Sequence, residues 1–298
     1  MKNTFYISCP IDTYSGYGAR SRDFVKALIK SEKYEVKILS QRWGNTRKGF
    51  LDDFKEWEFL KNHIVPNLTE KPDIWCQVTV PNEFQPVGNY NIGLTAGIET
   101  TQCAPQWIEG CNRMSLVLTS STHSKGVFEQ TAYEVQNKQT GQKQELKCTT
   151  PIEVLIEGAN LDVYKSLVEP MTNDKLCKSL DSIPEKFAYL FVGHWLQGEM
   201  GEIHSIRKSI NAKIIPNIYV IHGDLSDAEM NEMYNHSKIK AMVSATKGEG
   251  FGRPLLEFAL TGKPIIASGW SGQTDFLDPK FNVLLGGELT NIHPSAQQ

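Results

Sequence analysis

From Phe5 to Ala267 the 298-residue chain repeatedly alternates short apolar runs of strand length with stretches of helical period. Only a parallel sheet flanked by crossover helices accommodates that alternation over such a length. Phe5 to Cys9 is β-rich, and Ser15-Gly16-Tyr17-Gly18 follows it. Ala19 to Lys30 then places Phe24, Ala27 and Leu28 on one helical face, and Tyr34 to Leu39 reads as the next strand. Strand, glycine loop, helix and strand in that order open a Rossmann-like half.

The pattern continues with a helix over Phe54 to Ile64, strands at Ile74 to Val80 and Ile92 to Ala96, and a short helix at Trp107 to Cys111. A strand at Leu116 to Thr119, a helix at Ser124 to Thr131 and a strand at Ile152 to Ile156 complete the first half. Gln136 to Lys147 is polar around Thr140-Gly141 and reads as a solvated hairpin or loop. The hydrophilic stretch from Tyr164 to Lys186, marked by Pro170 and Pro184, is the best boundary. It divides a domain at 1–165 and a linker at 166–186 from a second domain at 187–298.

The second half offers strands at Phe187 to Val192, Ile218 to Ile221, Ala241 to Ser244 and Ile265 to Ala267. A helix is expected across Ile203 to Asn211. Ser226 and Glu229 make a capping box, predicting a helix over Asp227 to Asn235. Pro254 to Leu260 is a helix with proline in its first turn and Gly262 just beyond its end. The expected class is α/β, two Rossmann-like domains facing a cleft, the second one shortened.

Composition removes several other classes. With 40% hydrophobic and 22% charged residues, the chain is neither disordered nor fibrous. A net charge of −3 supplies no overall basic field, so nucleic acid is disfavoured as a partner, although a local patch remains open. No run of 18 apolar residues exists to cross a membrane, and the N-terminus lacks a signal-peptide core. Six cysteines without a C-x-x-C pair speak against a zinc knuckle and for buried thiols in a reducing, cytoplasmic setting.

The densest chemical signal is KGEGFGRPLLEFALTGKPIIAS, residues 247–268. Glu249 and Glu257 stand eight positions apart. Gly250 and Gly252 let backbone come close to a ligand, and the helix that follows turns free N–H groups toward the loop, as a phosphate requires. Two carboxylates flanking such a loop suit hydroxyls of ribose and of a sugar ring. A glycine turn that merely starts a helix, with both acids solvated, is the competing explanation. The run of EGFG, proline, Leu-Leu-Glu and then Gly-Lys-Pro before a strand tells against it.

These residues resemble the retaining glycosyltransferases of the GT-B fold, the large group often called family 4. Residues 219–277 resemble the nucleotide-sugar segment of that family, SGYGARSRDFVKAL its first glycine loop and helix, and residues 93–128 its acceptor-side loop. Glu153 to Tyr164 (EVLIEGANLDVY) is similar to the turn that closes its first domain. The wording is nearest to versions from tailed-phage genomes. The resemblance implies a nucleotide-diphosphate-sugar donor, a hydroxyl acceptor, retention of configuration and no cofactor or metal. It implies that Glu257 binds ribose and Glu249 the donor sugar, with Glu99 beside the reacting sugar. Phe251 and Gly252 would offer backbone N–H groups to the diphosphate. Gly16 and Gly18 would let the first loop approach the phosphates, and Lys247, Arg253 or Arg207 would be the remaining cations near the cleft, with Arg253 counted among the donor-binding residues.

The chain departs from that family in two places. Residues 187–206 hold no Lys or Arg where members carry a basic pair, and His194-Trp195 stands there instead. Residues 194–217, only 24 of them, separate two strands where an additional strand and helix, about 25 to 35 residues more, are expected. The second domain therefore reads as internally deleted and shortened at its end. A catalytically degenerate relative that binds a nucleotide-sugar or a protein is the alternative, with a GT-B epimerase as a third. Glu99 reads equally as a turn cap, His123 and His222 read as structural, and Trp270-Ser271-Gly272 follows a strand end where such folds take ligands.

Overall fold

The computed structural model describes residues 2–136, 142–168, 174–184, 188–193, 196–210, 216–223 and 225–291. His194 and Trp195, and the Thr140-Gly141 turn, lie outside them. The chain forms two compact units. The first comprises residues 1–158, 244–253 and 267–298; the second comprises 159–243 and 254–266.

The first unit is built on a six-stranded sheet of order β2-β1-β3-β4-β5-β8. Its strands are β1 (Asn3–Cys9), β2 (Tyr34–Ser40), β3 (Ile74–Val78), β4 (Tyr90–Leu94), β5 (Leu116–Thr119) and β8 (Ile152–Val154). Every neighbouring pair runs parallel, with Phe5 opposite Val36 and Ile74. The period-two pattern of β1 explains its central place. Phe5, Ile7 and Cys9 enter one apolar cluster with Val25 of helix α1 (Gly16–Lys30), while Tyr6 enters a second with Trp75, Phe84 and Phe128. A strand buried on both faces belongs inside a parallel sheet.

Helix α1 starts three residues earlier than the periodicity suggests. Ser15 caps it, accepting a hydrogen bond from Gly18 N at 2.9 Å, so both glycines fall within its first turn. The Phe54–Ile64 stretch is a 3-10 helix over Lys55–His63, preceded by the short α2 (Phe50–Asp53). Helices α3 (Pro105–Cys111) and α4 (Thr122–Gln130) cover the other face. The polar insertion is an antiparallel hairpin of β6 (Ala132–Gln136) and β7 (Lys143–Lys147), begun four residues before the expected start.

In the second unit, β9 (Ala188–Gly193) pairs in parallel with β10 (Asn217–His222). Helix α6 (Leu196–Ser209) is the helix described between them, and it begins seven residues before the expected one. The 166–186 stretch holds an unforeseen helix, α5 (Asp174–Asp181). Lys238 Nζ donates to its last carbonyls at Leu180 and Asp181, at 3.3 and 2.6 Å, and to the Ile183 carbonyl just beyond it at 2.7 Å. Helix α7 (Asp227–Asn235) carries the capping box in full: Glu229 N donates to Ser226 Oγ at 3.3 Å, and Ser226 N donates to Glu229 Oε2 at 2.8 Å. Asn231 and Asn235 of α7 accept from Lys165 N and Leu167 N, tying the start of that stretch to the helix.

Helix α8 (Arg253–Ala259) follows the EGFG loop, and Gly262, at φ +75°, takes the left-handed turn after it. A three-stranded sheet of order β11-β12-β13 joins β11 (Met242–Ser244), β12 (Ile265–Ser268) and β13 (Val283–Leu285), a strand with no sequence forecast. Among the described residues no helix is long and apolar enough to cross a membrane.

Candidate functional site

In the first unit three segments converge beyond the carboxyl ends of β1, β4 and β5, the edge at which open parallel sheets take ligands. They are the start of α1, the 95–99 segment after β4, and the EGFG loop. Tyr17, next to Gly16, hydrogen-bonds Thr95 Oγ1 at 3.0 Å and accepts from Ala96 N at 3.1 Å while stacking on Trp43. Ser120, just after β5, donates to the carbonyls of Ala96 and of Gly250, the latter at 3.0 Å. One buried hydroxyl thus bridges the β4 loop and the EGFG loop.

The glycines of the loop have distinct reasons. A Cβ on Gly250 would lie 2.3 Å from the Ala96 carbonyl oxygen, so the absent side chain lets two backbones touch. A Cβ on Gly248 would lie 2.9 Å from Glu99 Cβ. Gly252 has φ +90°, a conformation that glycine adopts without strain. At α1, a Cβ on Gly18 would meet the Thr13 carbonyl oxygen at 2.4 Å, whereas Gly16 faces open space. Internal packing therefore accounts for Gly18 and Gly250, whereas Gly16 has room above it.

Glu249 and Glu99, far apart in sequence, share this edge. The Glu249 carbonyl accepts from Gly272 N at 2.9 Å and Ser271 Oγ at 2.8 Å. Trp270 Nε1 donates to the Glu99 carbonyl at 2.8 Å, and His123 sets its ring edge-on to Trp270. Asp275 accepts from Thr122 N at 2.7 Å and from its hydroxyl, fastening the 272–275 turn to α4. Burial raises the Glu249 carboxyl above the ordinary value; a hydrogen bond with Thr246 opposes the rise and the Glu99 charge adds to it. A carboxyl so placed keeps its proton to a higher pH than a free one.

Two expected site residues serve the packing as well. Phe251 is buried against Phe276, leaving its backbone, not its ring, for any ligand. Arg253 is turned onto α1, with Nη1 2.6 Å from Asp23 Oδ2. Beside that pair lies a cavity of about 200 Å³ with Arg20, Asp23, Glu157 and Arg253 on its wall. Arg20 reaches Glu157 at 3.2 Å and donates to the Leu155 carbonyl, yet its Nε is buried without a partner. Burial lowers the Arg20 pKa and raises that of Glu157, outweighing their mutual attraction. Arg20 and Glu157 were not marked in the sequence. The available signal was a charged side chain, Arg20, on the side of α1 that also buries Ser21 and Val25.

Glu257 belongs to the second unit. It is buried in α8, only 7% exposed, and its charge raises the hydroxyl pKa values of Tyr164 and Tyr234, burial being the larger cause in both. Tyr164 donates to Asp227 Oδ1 at 3.1 Å, and Tyr234 packs edge-on to Phe258. Among the described residues no group of three or more His, Cys, Asp or Glu could hold a metal ion.

Comparison with known proteins agrees with this architecture. The chain has the α/β GT-B fold: it is similar to HepE of Anabaena, in complex with UDP and glucose, over 93% of this chain and 83% of that one, at 14% identity and TM-score 0.53. It is also similar to sucrose-phosphate synthase of Thermosynechococcus elongatus over 95% and 86%, at 13% identity and TM-score 0.59. A glycosyltransferase of Rickettsia africae matches over 95% and 84%, at 13% identity and TM-score 0.58. No curated protein sequence matches. Residues 163–288, which include the EGFG loop and α8, match the family described as Glycosyl transferases group 1.

Proposed function

We propose that the protein transfers a sugar from a nucleotide-diphosphate-sugar donor to a hydroxyl acceptor, with retention of anomeric configuration. The observation that carries this reading is the approach of Glu249, which lies in the segment matching the group 1 glycosyltransferases, to Glu99 at the edge where parallel sheets take ligands. The likeness to a fold that holds UDP and glucose in HepE supports the choice of donor.

In this reading Glu249 accepts hydroxyls of the donor sugar and Glu99 stands beside the reacting centre. Glu257 accepts from the ribose, and Phe251 and Gly252 present backbone N–H groups to the diphosphate. The chemical demand is to stabilise a departing nucleoside diphosphate, which preorganised donors meet best. Gly16 leaves the first loop open to the phosphates. Arg253, already paired with Asp23, acts on the loop and not on the leaving group.

The test is a transfer and hydrolysis assay with UDP-, GDP- and ADP-sugars beside thermal-shift titration. Glu257→Ala should weaken nucleotide-sugar binding about tenfold or more. Glu249→Ala should lower turnover about 100-fold with smaller loss of affinity, the scale of losing one positioned hydrogen-bond partner. Unchanged activity in both variants would end the assignment. A non-catalytic, nucleotide-sugar-binding relative is the second reading. It is favoured by the absence of Lys and Arg from residues 187–206 and by the engagement of Arg253. Binding without turnover of any donor selects it.

A further inference from the structure

Cys103, Cys111 and Cys148 share one apolar cluster away from the candidate site, Cys103 just before α3, Cys111 at its end and Cys148 just after β7. Cys111 is the last residue of α3 and is fully buried; Cys148 follows β7 directly and is half-buried. The residue after Cys111 clamps the residues on either side of Cys148. Asn112 Nδ2 donates to the Lys147 carbonyl at 2.8 Å, and Asn112 Oδ1 accepts from Thr149 N at 2.7 Å and Thr149 Oγ1 at 3.1 Å. This three-bond clamp holds the segment after Cys111 against the segment around Cys148, and Cys148 packs against the apolar cluster that contains Cys111; each thiol lies within electrostatic reach of the other. Cys103, the third thiol, is engaged by Thr131 instead.

We propose that Cys111 and Cys148 form an oxidisable dithiol, a modification site at which hydrogen peroxide converts the two thiols into a disulfide. Cys148, the more accessible sulfur, attacks a peroxide oxygen. The O–O bond breaks, the departing hydroxide takes up a proton, and the product is a sulfenic acid and one water. The Cys111 sulfur then attacks the Cys148 sulfur. The S–S bond forms, the S–O bond breaks, and the leaving hydroxide takes the Cys111 proton as the second water. Peroxide is the two-electron oxidant, and nothing else is consumed.

The division of labour follows accessibility. Cys111 is fully buried, and the neighbouring Cys148 together with burial raises its pKa, whereas Cys148 is half-buried. The accessible sulfur therefore meets peroxide first, and the buried one resolves the intermediate before further oxygen is added. The bond would staple α3, which follows the Glu99 segment, to the strand end that leads into β8.

The experiment is peroxide treatment of the reduced full-length chain, followed by alkylation in denaturant and peptide mapping. Cleavage after both basic and glutamate residues isolates Cys111 on Gly110–Arg113 and Cys148 on Cys148–Glu153, apart from Cys103. The expected product is a dithiothreitol-sensitive cross-link between those two peptides, formed at least several-fold faster in the folded chain than in urea. Cys148→Ser should leave Cys111 fully alkylatable, and Asn112→Ala, which spares both thiols, should slow cross-linking several-fold. A Cys148 sulfinic acid beside a free Cys111 thiol, a cross-link to Cys103, or equal rates in folded and unfolded chain would overturn the proposal. None of these readouts depends on sugar transfer.

Discussion

Arg253 Nη1 lies 2.6 Å from Asp23 Oδ2, joining the end of the EGFG loop to the middle of α1 across 230 positions of sequence. The arginine is mostly buried and the aspartate partly exposed, which puts the pair above a free surface ion pair in worth. Asp23→Asn should lower stability by about 1 kcal/mol in urea unfolding, at the upper end for such pairs. The reversed pair, Asp23→Arg with Arg253→Asp, should recover part of that loss. No recovery would mean that the contact contributes nothing through charge.

Gly250 and Gly16 should respond oppositely to alanine. At Gly250 the new methyl collides with backbone, which cannot rotate away, so the expected cost is about 1–3 kcal/mol. At Gly16 the methyl enters open space, and stability should move by no more than about 0.5 kcal/mol. Thermal unfolding of the two variants side by side decides the matter. If Gly16→Ala weakens nucleotide-sugar binding while leaving the melting temperature in place, the open space is where the ligand comes near.

The Glu249 carboxyl has a raised pKa in the folded chain. Below its unfolded pKa the group is protonated in both states and contributes nothing to the balance. As pH rises through the interval up to the folded pKa, the unfolded chain gives up its proton first, and the folded state is penalised. Wild type should therefore lose stability relative to Glu249→Gln as pH climbs from about 4 through the carboxylate range. A difference between the two that stays flat with pH would show that the buried acid carries no such penalty.

In the second unit, Ser226→Ala should cost about 1 kcal/mol by leaving Glu229 N without its cap. Ser226→Asn, another good cap, should cost a fraction of that. Equal losses in the two variants would assign the effect to something other than the capping hydrogen bond.

Short-range order in this protein is written in short-range pattern. The alternation of Phe5, Ile7 and Cys9 against Tyr6 announces a strand buried on both faces, Ser226 with Glu229 announces the start of α7, and Gly262 announces the end of α8. Helix α5 and strand β13 escaped because eight polar-rich and three apolar residues, respectively, carry too little periodicity to stand out. The EGFG loop was visible as a ligand cradle from its motif and spacing, but a motif does not say what fills the space of a missing side chain. That Ala96 backbone occupies it at Gly250, that Glu99 comes to lie beside Glu249 and that Arg253 finds Asp23 depend on the strand order β2-β1-β3-β4-β5-β8 and on the loops it brings to one edge; that Asn112 clamps the segment around Cys148 depends on how α3 packs beside the β6-β7 hairpin. Dihedral preference and hydrophobic period act over a few residues and determine the elements. Partners tens or hundreds of positions apart are chosen only when burial of the apolar faces selects one packing of those elements.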